Sequence, residues 1–191
     1  MQLHLALQDI ALIKADVLFA PIDGRIRAFS GSAAATALRR RLSPEMRYEF
    51  FQNIEEEVNA LPPMRDGEAT LVSLDADYGL PWKSLAVGCA LAHPVDGAQF
   101  STSYLFESLR QSLAKAIHLV TVEPGLSSMA MTVVANSYRL PTHSAVRAML
   151  QAINTSSDMP LTLTWAFCEH DAFHGCEEAC KQAGIDFRST Y

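Results

Sequence analysis

Three short stretches carry residue types that could do chemistry. The first is Pro21-Ile22-Asp23-Gly24-Arg25, running on to Phe29-Ser30-Gly31-Ser32. It joins an apolar run to an Ala-rich segment, so it reads as a strand-to-helix loop. Free amides at a helix start attract anions, and Gly31 with Ser32 would let a phosphate approach the backbone. The alternative is a plain connection capped by Ser30 or Ser32. Neither GxGxxG nor a P-loop pattern is present. The second stretch is Asn136-Ser137-Tyr138-Arg139-Leu140-Pro141. Arg139 could pair with phosphate bidentately, Tyr138 could cover a base or ribose, and Asn136 tolerates a left-handed backbone. A solvated turn is the alternative.

The third stretch runs from Cys168 to Cys180 and holds His170, His174, Cys176 and Cys180. These are zinc-type residues, but their spacing works against a shared metal. On one helix His174 and Cys176 lie about 200° apart, at roughly 100° per residue. Phe173, Cys176, Ala179, Cys180 and Ala183 share the core face instead, so the thiols read as small buried hydrophobes. Cys89, with His93 downstream, likewise reads as a thiol buried in a strand. No GxSxG elbow accompanies the serines.

Composition narrows the classes. Lys and Arg number 15 against 21 Asp and Glu, a net charge of −6. Such a balance argues against a broad nucleic-acid or membrane-surface footprint. With 49% apolar and 19% charged residues among 191, the chain reads as a single domain, 1–191, with a sizeable core. No apolar run reaches the roughly 20 residues a membrane span needs. The first residues lack a basic region and carry Asp9, so a cytoplasmic protein with four reduced cysteines is expected.

The elements that must hold these stretches alternate. Leu3, Leu5 and Leu7 mark a strand, and Asp16–Ala20 is a buried strand expected to stop at Pro21, Asp23 and Gly24. Helices are expected over Ser32–Leu42, from a Ser43 cap with Pro44 in the first turn, and over Ser101–His118. Further strands are expected at Ala69–Leu74, Leu85–Leu91, Met129–Val134 and Leu161–Phe167. Thr142 and Asp171 are the expected caps of two last helices, the second ending at Gly184. Strands alternating with helices imply an α/β fold, a central mixed, mostly parallel sheet with helices on both faces. Such sheets place ligands at the carboxyl ends of their strands, here after Ala20, Leu91, Val134 and Cys168.

The order of elements and several loops together resemble a macro domain over roughly Leu3 to Phe187. Gln8-Asp9-Ile10 resembles the family's Gly-Asp-Ile, and Gly67-Glu68-Ala69 its Gly-Glu-Ala. Ser128-Met129-Ala130-Met131 is similar to its Ser-Ile-Ala-Phe strand. Asn136 to Pro141 falls at its second phosphate loop, with Tyr138 and Pro141 kept. The resemblance implies a three-layer α-β-α sandwich that binds ADP-ribose. It implies that Asp9 holds the adenine amino group, Ile10 adds a backbone contact, and Phe173 packs on the base. Ala20 and Asp23 stand where the family has two Asn, and Asn136 and Arg139 replace two glycines. Three functions follow as expectations: a module binding ADP-ribose or a related nucleotide or NAD metabolite; an ADP-ribosyl hydrolase with Asp23 positioning water; or a protein-interaction scaffold with its cleft filled. An ADP-ribosylated protein is a further partner the resemblance admits. None of these readings calls for a metal, a cofactor, a nucleic acid or a membrane.

Overall fold

The structure, a computed structural model, describes residues 1–23, 33–61, 64–90 and 100–191, with Asp23 described in its backbone alone. Its elements are β1 (Gln2–Leu7), β2 (Val17–Asp23), α1 (Ala33–Arg41), α2 (Pro44–Ala60), β3 (Ala69–Ser73), β4 (Ser84–Ala90), α3 (Thr102–Val122), β5 (Ser128–Met131), α4 (Thr142–Thr155), β6 (Thr162–Phe167), α5 (His170–Ala183) and β7 (Phe187–Thr190). Single turns of 3-10 helix occupy Ile10–Leu12 and Ala76–Tyr78.

One sheet runs β3-β4-β2-β5-β6-β1-β7. Every pairing is parallel except β3 with β4. The period of two divides β2 between the sheet's faces. Val17 and Phe19 join the core under α3, α4 and α5, while Leu18, Ala20 and Ile22 join the core under α1 and α2. Both faces are covered, which is why β2 reads as an unbroken apolar run. The result is the expected three-layer sandwich.

Pro21 does not end β2, contrary to the expectation that the strand stops there. Pairing with β4 continues to Asp23, whereas pairing with β5 covers only Val17 and Leu18. Pro21 thus has a strand on one flank alone, where its missing N–H is tolerated. β5 is shorter than expected and stops at Met131. The helix caps also differ in part. Ser43 accepts from Met46 N–H at 3.4 Å and Ser101 from Tyr104 N–H at 3.2 Å. Pro141 precedes α4 in place of a Thr142 cap, and Glu169 precedes α5 in place of Asp171, neither with a side-chain cap bond. Asp171 sits in the first turn of α5, where its charge still opposes the helix dipole. Gly184 closes α5 in the left-handed region, φ 67°.

Asp16 ties three strands together at their amino ends. Its Oδ2 accepts from the N–H of Ser127 (2.9 Å) and Ser128 (3.1 Å) and from both hydroxyls (3.0 and 2.9 Å). Its Oδ1 meets Lys83 Nζ at 2.6 Å, and its carbonyl accepts from Lys83 N–H at 2.7 Å. The residue before β2 thereby holds the entries to β4 and β5 in register. Gly88 of β4 lies where a Cβ would stand 2.5 Å from Ser112 Oγ and 2.8 Å from the Phe19 ring, so only a glycine lets α3 settle on the sheet. Among the described residues no helix is long and apolar enough to cross a membrane.

Candidate functional site

A cavity of about 330 Å³ opens at the carboxyl edge of the parallel strands, where an open α/β sheet places its ligands. Asp9 and Ile10 reach it from the end of β1, residues 132–134 with Asn136 and Ser137 from the end of β5, and Cys168 from the end of β6. Ala33, Thr36, Ala37 and Arg40 line it from α1. Two segments more than a hundred residues apart in the chain therefore meet at one rim. A depression of about 310 Å³ between α4 and α5, lined by Arg147, Gln151 and Gln182 among others, lies away from these strand ends.

Asp9 is held from two sides. Its Oδ1 accepts from Ala11 N–H at 3.0 Å, capping the turn that follows β1. Its Oδ2 lies 2.5 Å from Arg40 Nη1. Cys168, the one exposed thiol of the four, sits beside this pair. Partial burial pushes its thiol pKa up, the Asp9 charge adds to that, and Arg40 opposes it. The thiol at the cleft is therefore protonated and a poor nucleophile near neutral pH.

Of the residues expected at a site, the structure brings Asp9, Ile10, Asn136 and Ser137 together. Tyr138 goes elsewhere. Its ring is 1% exposed in the core under α3 and α4, and its hydroxyl donates to Ser112 Oγ at 2.8 Å. Burial pushes its pKa well above the ordinary tyrosine value. A sealed phenol offers no surface to a base or ribose, so the expected cover over the ligand is corrected to a core role. The left-handed residue of this loop is Arg139, φ 51°, rather than Asn136. Arg139 is exposed and is not among the residues that line the cavity. Phe173 is fully buried, edge-on to Phe167 at 5.8 Å and to Tyr191 at 5.3 Å, and has no free face for a base. Gly31 and Ser32 lie outside the described residues, as do Arg25, Arg27 and His93. Asp23 ends β2 at the carboxyl edge.

In the third stretch Cys176 and Cys180 are buried, while His174 is exposed with Nδ1 2.9 Å from Glu177. Reasoning from the sequence missed Thr36, Arg40 and Cys168 as cavity residues. The signal was there for the helix: positions 33, 36, 37 and 40 form one stripe of α1, mostly small, ending in a cation.

No protein-family model matches the chain, and no curated relative matches it. Solved structures do. A substituted form of the Oceanobacillus iheyensis macrodomain is 21% identical with a TM-score of 0.69, the match covering 94% of this chain and 90% of that one. A form of the same protein with ADPR is 19% identical at a TM-score of 0.70, covering 94% and 91%. The chain has the macrodomain fold. The Trypanosoma brucei macrodomain in complex with ADP-ribose is more distant, 16% identical at a TM-score of 0.59 and covering 93% and 68%. The macrodomain fold agrees with the sheet order and layers described above, and with the placement of a cleft at the carboxyl edge.

Proposed function

We propose that this chain is a module that binds ADP-ribose or a related adenine nucleotide in the cleft between Asp9, Arg40 and Ser137. The cleft itself carries the reading: a cavity at the carboxyl edge of a macrodomain sheet, lined by the Asp9 carboxylate, the Arg40 guanidinium, the described start of α1 and the Asn136–Ser137 loop. Structures with this fold hold ADPR or ADP-ribose in two of the comparisons. The Asp9 carboxylate suits an exocyclic amine, and the amino end of α1 suits phosphate. A cavity left open by the described residues favours binding over a scaffold whose own side chains fill the space. Four thiols with one of them exposed suit a reducing compartment such as the cytoplasm.

Titration calorimetry with ADP-ribose tests this. The expected outcome is a saturable heat, weakened about tenfold or more in Asp9→Ala, the scale of a lost hydrogen bond to a charged group. Folded protein that gives no heat at millimolar ADP-ribose removes the reading.

Hydrolysis of an ADP-ribosyl bond, with an ADP-ribosylated protein as substrate, is the second reading. The observation favouring it is the place of Asp23, the last residue of β2 at the same edge of the sheet. There a carboxylate would orient or deprotonate a water. Loss of turnover in Asp23→Ala with ADP-ribose affinity retained supports it, and unchanged turnover sinks it.

A further inference from the structure

The stripe of α1 that faces the cleft begins at Ala33, the first described residue of the helix, and ends at Arg40. Seven residues separate them, roughly 10 Å along the axis. One end of the cleft therefore meets the described start of α1, and the other meets a guanidinium. Nη1 of Arg40 is anchored 2.5 Å from Asp9 Oδ2, yet the side chain remains 62% exposed. Cys168 and Ile10 complete that end. The aromatic ring that the family resemblance would put against a base, Phe173, is sealed beneath Phe167 and Tyr191.

We propose that Arg40 takes the place of that ring. Granting the reading of the cleft as an adenine-nucleotide site, the base lies against the plane of the Arg40 guanidinium, and Arg40 sets the preference for ligands that carry a base. A guanidinium is planar, weakly hydrated and stacks on π faces, as arginines do on unpaired bases. Its link to Asp9 restrains the guanidinium before the ligand arrives, which lowers the ordering cost of binding. A carboxylate has about four lone-pair sites. Two are occupied, by Ala11 N–H and Arg40, which leaves room for the amine of the base. Diphosphate lies toward Ala33, roughly 10 Å along α1 from Arg40, too far for Arg40 to act as its counter-charge.

The test compares ADP-ribose and inorganic pyrophosphate on the wild type, Arg40→Lys and Arg40→Ala, with circular dichroism confirming the fold. Lysine keeps the charge and discards the plane. Both variants are expected to lose about tenfold in affinity for ADP-ribose, on the scale of one base stacked on a side chain, while pyrophosphate binds within twofold of wild type. Wild-type affinity for ADP-ribose in either variant overturns the proposal. An equal loss for pyrophosphate also overturns it, since Arg40 would then be serving the phosphates. A wild type that binds no ADP-ribose overturns the functional reading itself, an outcome distinct from the other two.

Discussion

The hydroxyl of Tyr138 donates to Ser112 Oγ at 2.8 Å, and Ser112 donates in turn to the Glu68 carbonyl at 3.1 Å. The two ends of this relay differ in what their loss leaves behind. Tyr138→Phe removes one neutral hydrogen bond, worth about 1 kcal/mol, and Ser112 keeps its acceptor. Ser112→Ala strands a fully buried phenol, whereas the Glu68 carbonyl still receives Cys89 N–H at 2.9 Å. We expect Ser112→Ala to cost about 2 kcal/mol, more than Tyr138→Phe, in urea unfolding. The reverse order would show that the relay is not what holds the ring. The place of Tyr138 was partly legible: Val134, Ala135, Tyr138 and Leu140 are all buried, an apolar cluster that a reading centred on ligand contacts passes over. The left-handed turn at Arg139 was not legible, because residue type favours Asn136 over Arg139 for positive φ.

At the scale of elements, the knot at Asp16 decides how β2, β4 and β5 start together. Desolvation pushes the Asp16 carboxyl up, but the Lys83 ammonium, the Ser127 amide and the hydroxyls of Ser128 and Ser127 outweigh it. They hold the pKa well below the usual carboxylate range. A carboxyl depressed on folding contributes stability in full above its unfolded pKa of about 4, and that contribution is lost as the pH falls toward the folded value. Asp16→Asn should therefore flatten the fall in stability below about pH 4, read from urea midpoints across the acid range. Asp16→Ala should cost about 3 kcal/mol at neutral pH. An acid limb identical in wild type and Asp16→Asn would contradict this account. The strands themselves were legible from their apolar runs, because a strand covered on both faces needs no alternation. The last strand, β7, was not legible. Phe187, Arg188, Ser189 and Thr190 lack an apolar run, since an edge strand buries little, and β7 is held by pairing with β1 and by Ser189 Oγ donating to Glu177 Oε1 at 2.5 Å.

For the whole molecule, the cleft joins the ends of β1, β5 and β6 to α1, so a ligand seated there binds only the folded chain. At a hundred times its Kd such a ligand stabilises by about 2.7 kcal/mol. For 191 residues that corresponds to a rise in Tm of roughly 5–10 °C, measurable by thermal melting with and without ADP-ribose. An unmoved Tm at that saturation would count against binding in the cleft. The sheet order also sets when this cleft can exist. β1 carries Asp9 at its end, and its partners are β6 and β7, which close only with residues 162–167 and 187–190. On a ribosome adding about 5–20 residues each second, the first strand made waits on the order of 10–40 s for its neighbours. A nascent chain halted before β6 carries α1 and the Asn136 loop but has no partner strand for β1. The Asp9 end of the cleft is therefore the last part that synthesis completes.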